Sequence, residues 1–234
     1  MALVPDYGRA VPKVPLAFAT TAALVGVAAA WSGLVGLGVV AAGAAGLFGA
    51  SGASTLYSDR LGRSRVWDEI LAAHPLRGDE RVLDVGCGRG ALLVALARRL
   101  GRGGKVVGIH PWTAGQSEAP TRQNVVAEGM AARVTLQPGD LRSLPFLDRT
   151  FPLIVSSLAI HTLPDAPGRE QAVSEMWRVL ADGGTLLLVD RLYGADYARV
   201  LRNLGAEPSL RSLGWRLWSG GPHRAASLVV ARRS

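Results

Sequence analysis

The sequence predicts an α/β fold, a mostly parallel sheet with flanking helices that follows an apolar helical hairpin, and three observations carry that reading. From residue 81 to residue 232 strand-length apolar runs alternate with helix-length segments, the pattern of a layered α/β domain. Two of the runs, LIVSS (Leu153 to Ser157) and TLLLVD (Thr185 to Asp190), are nearly continuous in apolar residues, as strands buried on both faces are. Ahead of this pattern no charged residue occurs between Val14 and Ser58.

The uncharged front is a membrane signal. One span needs about 20 apolar residues, and the stretch from Leu16 to Ala50, rich in Ala, Val, Leu and Gly, supplies two short helices at 15–31 and 34–50, divided near Trp31-Ser32-Gly33. Arg9 and Lys13 precede the run and Arg60, Arg63 and Arg65 follow it. Positive charge on both sides keeps both ends cytoplasmic, which favours a hairpin over a single tilted crossing. The alternative outside a membrane is a helical pair docked on the domain or on a partner, for which the Gly and Ala content is equally suited. A cleaved signal peptide would be shorter than this run. The expected division is therefore residues 1–55 as hydrophobic membrane-associated helices and residues 56–234 as a cytoplasmic domain.

Charge and cysteine content narrow the function classes. The net charge of +8 comes from scattered arginines with no block of interleaved basic and aromatic residues, which excludes a nucleic-acid footprint and fits anionic lipid headgroups. Cys87 is the single cysteine, so no intrachain disulfide exists and a reducing compartment fits. No His/Cys/Asp/Glu cluster has metal-ligand spacing.

The elements follow in order. Residues 58–75 read as an amphipathic helix with Leu61, Val66, Trp67, Ile70 and Leu71 on one face. The turn Pro75 to Glu80 leads to a strand at 81–85, a helix at 90–101, a strand at 105–109 and a helix at 119–129. Strands at 133–137 and 152–157, a helix at 166–180 and a strand at 184–190 come next. A helix at 194–204 and strands at 209–217 and 224–232 complete the chain. Glycine turns at 101–104, at Gly129 and at Asp182-Gly183-Gly184 stand where helices should stop. In a parallel sheet, ligands bind beyond the carboxyl ends of the strands, so residues there are the site candidates.

RVLDVGCGRG places Asp84 near the end of the first strand, with Gly86, Gly88 and Gly90 before a helix. Glycines at alternate positions allow a tight turn and let a ligand approach the backbone. A nicotinamide fingerprint has its third glycine one residue later and a pyrophosphate at the helix end. An acid just before the loop suits a ligand carrying an ammonium group better than a pyrophosphate.

Over residues 60–232 the chain resembles class I S-adenosylmethionine-dependent methyltransferases, through five ordered motifs: VLDVGCGRG, VVGIHPW, VTLQPGDLRSLPF, FPLIVSSLAIHTL and EMWRVLADGGTLLLVD. The resemblance implies a Rossmann-like, seven-stranded, mostly parallel sheet whose last strand is antiparallel, with S-adenosyl-L-methionine as cofactor. It further implies that Asp84, Gly86, Cys87 and Gly88 face the amino-acid end of the cofactor, that Gly90 permits close packing of strand and helix, and that Cys87 contributes backbone with a passive thiol. Asp140 matches the family acid that bonds the adenine amino group, with Leu141 offering a backbone N–H to the ring. His110 departs from the family, which has an acid at this strand end to hold both ribose hydroxyls; a neutral imidazole has one acceptor nitrogen. Trp112 is placed to lie against adenine or to pack. Pro152 is a second departure, tolerated at a strand's first residue. Ser156 and Ser157 end the strand beside the methionine portion.

On the acceptor side His161 is the candidate general base or else a residue of the pocket wall. Asp190 and Tyr193 border the acceptor pocket, or Asp190 caps the next helix. Trp215 and Trp218 read as core or membrane-interface residues. The expected activity is methyl transfer to a small or lipophilic acceptor at the membrane surface, with membrane lipid as a partner. A non-catalytic membrane-anchored scaffold that keeps the methyltransferase fold is the alternative.

Overall fold

A computed structural model of the chain describes residues 5–7, 21–25, 27, 35–112, 117–217 and 225–234. These residues divide into two compact units, one built on Trp67–Leu213 and Ala226–Ser234 together with residues 5–7, the other from the described parts of Arg9–Val66 and Gly214–Ala225.

The larger unit is a seven-stranded sheet. Its strands are β1 (Arg81–Val85), β2 (Lys105–His110), β3 (Val134–Pro138), β4 (Phe151–Ser157), β5 (Leu180–Arg191), β6 (Ser209–Ser212) and β7 (Ala226–Arg232), in the spatial order β3-β2-β1-β4-β5-β7-β6. The first five strands run parallel, and β7 is antiparallel to both β5 and β6. The order reverses at β1, which lies between β2 and β4. A crevice at the carboxyl ends therefore opens at β1, where a doubly wound sheet takes its ligand.

Period-two alternation sorts the strand residues by face. Leu83, Val85, Val107, Ile109, Ile154, Leu186 and Leu188 join the main core with Met176 and Tyr197. The latter two lie on helices α5 (Ala166–Val179) and α6 (Gly194–Asn203). The opposite face carries Val82 and Asp84, with Gly108 beside Asp84 in the register of β1 and β2. There Leu93 of α3 (Ala91–Arg99) comes so close to Gly108 that a Cβ would stand 2.7 Å from its Cδ1.

Local chemistry sets the boundaries. Asp165 caps α5 by accepting the Gly168 N–H at 2.6 Å, followed by Pro167 in the first turn. Helix α4 (Ala119–Ala127) stops at Gly129, whose φ of 70° lets the Met130 N–H reach back to the Val125 carbonyl. The expected strand at 209–217 ends at Ser212: Gly214 takes φ 60° and opens a 3₁₀ turn at Gly214–Leu217. The turn foreseen at Asp182-Gly183-Gly184 is accommodated inside β5 as a bulge, with Phe151 opposite Leu180 and Leu153 opposite Thr185.

The smaller unit contains one described apolar helix, α1 (Val35–Tyr57), which passes through a π turn at Ser58–Gly62 into α2 (Arg63–Ala72). The expected second helix at 34–50 thus runs seven residues further, and the expected amphipathic helix from 58 is continuous with it. The boundary expected at 55/56 falls inside α1. Of the expected first helix, residues 21–25 and 27 are helical, and the turn at 31–33 lies outside the described residues, as does Trp218. Within α1 the segment Val39–Tyr57 is long and apolar enough to cross a membrane, and 11% of it is buried. Gly62 is required where it stands, because a Cβ there would lie 2.1 Å from the Arg216 carbonyl oxygen.

Candidate functional site

The site candidates gather at the carboxyl ends of β1 to β5. Asp84, one residue before the end of β1, is 1% exposed, and its Oδ2 has no hydrogen-bond partner among the described residues. Burial alone pushes its carboxyl up to about 8. A buried polar atom without a partner is costly and rare, which makes this oxygen a place for a donor supplied from outside the chain.

The loop beyond Asp84 is built from glycines in the left-handed region, with φ 80° at Gly86, 52° at Gly88 and 84° at Gly90. Gly86 is obligatory on space as well: a Cβ would come 2.2 Å from the Cβ of Ala159. At Gly88 the nearest atom to such a Cβ is the Gly86 carbonyl at 4.0 Å, so the loop is open on that side. The Gly86 and Cys87 amides both donate to the Ile109 carbonyl, at 2.8 and 3.2 Å, and Gly90 opens α3 by donating to Cys87 O at 2.9 Å. The Cys87 amide is thus committed to the fold. The thiol is buried, and desolvation together with the Asp84 charge pushes it far above the ordinary thiol range, so it is inert.

Beyond β2 and β3 the geometry is mixed. The His110 and Trp112 rings stand 5.6 Å apart, and the His110 carbonyl accepts the Gly139 N–H at 3.2 Å, tying the ends of β2 and β3 together. Asp140 is engaged by its neighbour: its carboxylate accepts the Arg142 backbone N–H at 2.9 Å and the guanidinium at 2.7 to 3.0 Å. The Arg142 hydrogen bonds hold its carboxyl below the usual range. Leu141 is 3% exposed and packs under the loop, 3.7 Å from the position of a Cβ on Gly86.

The ends of β4 and β5 form the other half. Ser156 Oγ donates to the Val85 carbonyl at 2.8 Å, and Ser157 Oγ accepts the Trp67 indole N–H at 2.9 Å. Leu158 and Leu192, just past the two strands, hold φ of 53° and 68°, strained values for leucine. A 3₁₀ turn, Ile160–Thr162, then presents His161. Its backbone N–H donates to Asp190 Oδ2 at 2.8 Å, and its Nδ1 is hydrogen-bonded to Asp190 Oδ1. Asp190 also accepts the Arg191 N–H at 2.8 Å and the Tyr197 hydroxyl at 3.2 Å. It does not cap α6, whose N-cap is Tyr193 without a side-chain bond. Burial, then the Asp190 charge, drives the Tyr197 phenol far upward, so it remains a donor. Asp190, Tyr197 and Trp67 are the site residues that sequence reasoning missed or left undecided.

Comparison with known proteins agrees with this geometry. A family model described as a methyltransferase domain matches residues 82–184. The demethylmenaquinone methyltransferase of Lactiplantibacillus plantarum is 34% identical over 135 residues, covering 56% of this chain and 53% of that protein. The chain thus spans about half the length of the curated relatives it matches. Two solved structures share the fold. A [4+2]-cyclase, SpnF, superposes with a TM-score of 0.61 at 18% identity, over 72% of this chain and 80% of that one. A geranyl diphosphate methyltransferase in complex with S-adenosylmethionine gives 0.60 at 19% identity, over 77% and 90%. Over residues 82–184, less than half of its length, the chain is similar to methyltransferase domains, and its sheet shares the fold of these two structures.

Proposed function

We propose that this chain transfers a methyl group from S-adenosylmethionine to a lipophilic acceptor of the quinone type at a membrane surface. The observation that carries the reading is the buried Asp84 carboxyl, whose Oδ2 has no partner among the described residues, beside the open Gly88 turn. An ammonium group fits there, because it supplies both the hydrogen bond and the charge that Asp84 lacks. When bound, the cofactor supplies an electrophilic methyl group on a sulfonium and leaves as a neutral thioether.

Asp84 would hold the amino-acid end, with Gly86, Cys87, Gly88 and Gly90 shaping the loop. His110 and Trp112 would border the ribose and adenine. Asp140 and Leu141 would meet the adenine edge, which requires the half-exposed Arg142 to move aside. Ser157 would border the methionine portion, and His161 the acceptor. The acceptor class is supported by the relative from L. plantarum, whose name specifies demethylmenaquinone.

Membrane attachment through residues 1–55, with 56–234 as the cytoplasmic catalytic part, is supported by the uncharged α1. Val39, Val40 and Leu47 of α1 are each at least two-thirds exposed. At its end the Tyr57 and Trp215 rings lie 5.4 Å apart, amphipathic groups of the kind that sit at headgroup level.

Calorimetry of the full chain in lipid nanodiscs with S-adenosylhomocysteine tests the cofactor step. Binding that is lost in Asp84→Ala supports it; wild-type protein that binds neither the cofactor nor its product sinks it and favours the scaffold alternative. Methylation of reduced demethylmenaquinone in the same nanodiscs, against none of a water-soluble amine, tests the acceptor class.

A further inference from the structure

We infer that Asp190 and Tyr197 position His161 as a proton acceptor for a methyl acceptor that carries a weakly acidic hydroxyl, a phenol or hydroquinone. This rests on the methyl-transfer reading above and names the substrate class of that site.

Asp190 is 1% exposed at the end of β5 and accepts four hydrogen bonds: the His161 N–H, the His161 ring, the Arg191 N–H and the Tyr197 hydroxyl. A carboxylate can only accept, so the proton of the neutral imidazole must sit on Nδ1. Nε2 then carries the lone pair. The imidazole is 22% exposed, in the turn directly beyond β4, and among the described residues Nε2 takes no hydrogen bond.

Charge bookkeeping gives the arrangement a direction. All four donors to Asp190 are neutral when His161 is neutral, so the cluster holds one buried negative charge. A proton taken up at Nε2 converts it to an imidazolium–carboxylate pair that keeps the Nδ1–H bond to Asp190. Arg169 of α5 lies over the Tyr193 ring at 4.0 Å and donates to the Leu163 carbonyl at 2.8 Å. Glu170 of α5 and Arg199 of α6 pair at 2.5 Å, with Asp196 3.8 Å from Arg199.

In the step itself, Nε2 takes the acceptor's hydroxyl proton and the O–H electron pair stays on the acceptor. That pair, at oxygen or at a conjugated ring carbon, forms the bond to the methyl carbon as the methyl–sulfur pair remains on sulfur. If the bond forms at carbon, the ring hydrogen leaves as a proton to water. No oxidant or reductant is needed. A hydroxyl of this kind is a poor nucleophile until its proton is taken, which is the task a carboxylate-backed histidine performs.

The test combines imidazole ¹⁵N NMR of the nanodisc-bound protein with kinetics on 1,4-naphthohydroquinone. His161 resonances, identified by their loss in His161→Gln, should show the Nδ1–H tautomer, and Asp190→Asn should populate Nε2–H. His161→Gln should lower kcat by about 100-fold or more, the usual contribution of a general base. Asp190→Asn should lower it at least tenfold, each with cofactor affinity unchanged. Tyr197→Phe keeps the buried ring and removes one neutral hydrogen bond, and should cost about fivefold. A ring-chlorinated hydroquinone assayed above its own pKa should recover most of the His161→Gln loss. An Nε2–H tautomer in the wild type or unaltered kcat in Asp190→Asn overturns the relay while leaving methyl transfer intact. Wild-type protein that binds no cofactor overturns both.

Discussion

Two buried aspartates, Asp84 and Asp190, sit at the carboxyl ends of β1 and β5, each 1% exposed, and their surroundings are opposite in kind. Asp84 lies on the α3 face of the sheet with one oxygen unpartnered; Asp190 lies on the face of α5 and α6 with four donors. Burial is therefore the same and solvation is not. The chain replaces the lost water around Asp190 with its own groups, which fixes a neighbour in place. Around Asp84 one oxygen has no such replacement among the described residues. A carboxylate of the first kind belongs to the scaffold of a site, and one of the second kind belongs to its binding face.

The largest expected effect is on cofactor affinity. Asp84→Asn removes a charge-assisted bond, worth about 1.5–3 kcal/mol, and should weaken S-adenosylhomocysteine binding by roughly 10- to 100-fold. Asp190→Asn should change it less than about twofold, since Asp190 has no vacancy for a ligand. Equal losses in titration calorimetry would erase the distinction between the two carboxylates.

Stability should move in opposite directions. Asp190→Asn strips a buried acceptor from its donors and should cost about 1–3 kcal/mol in denaturant unfolding. Asp84→Asn relieves a desolvated carboxyl and should stabilise the ligand-free protein at pH 8 by a similar amount, about 1–3 kcal/mol. The sign of the pH dependence follows from the raised value, about 8 in the folded protein against 3.8. The folded state holds the proton more tightly than the unfolded one, so this contribution is fully favourable below about pH 4 and is lost as pH rises toward 8. The Asn variant should therefore show no advantage at pH 4. A gain that is independent of pH would mean the carboxyl is not the cause.

The same carboxyl sets a proton release. Below pH 8 the ligand-free protein carries Asp84 protonated, and an incoming ammonium group requires the carboxylate. Cofactor affinity should then rise by up to about tenfold per pH unit between pH 5 and 8, with nearly one proton released at pH 6.5. Calorimetry in two buffers of different ionisation enthalpy counts that proton. A count near zero would show that Asp84 is already charged in the free protein.

Most of the loop beyond β1 was readable in the sequence because its signals are local. Asp84, three glycines and a helix start lie within ten residues, and all three glycines take the positive φ that their spacing suggested. The Asp190 cluster was not, because His161 and Asp190 are 29 residues apart and meet only through the register that sets Ser157 beside Val189. Without that register Asp190 reads equally well as a helix cap. Trp67 reaches Ser157 across 90 residues and was equally invisible. The front helix shows a different failure: Gly and Ser at 49–54 suggest a stop, but with no proline or charge until Asp59 the helix continues to Tyr57. Helix interiors tolerate isolated glycine at about 1 kcal/mol each, which neighbouring turns can absorb.

The smallest effect tests the one carboxylate that fits neither class. Asp140 is half-exposed and closed on by Arg142, two residues along, so it is neither vacant nor buried. That pairing was open to sequence reading, since an Asp in a turn commonly bonds the backbone two residues on. Arg142→Ala removes an exposed ion pair and should change stability by less than about 1 kcal/mol. It also frees both oxygens toward the cleft, so if Asp140 meets the adenine amino group, cofactor affinity should rise, by no more than about threefold, because the pair it replaces is solvent-screened. An unchanged affinity in Arg142→Ala together with an unchanged affinity in Asp140→Asn would remove Asp140 from the binding face and leave Asp84 as the only carboxylate the cofactor uses.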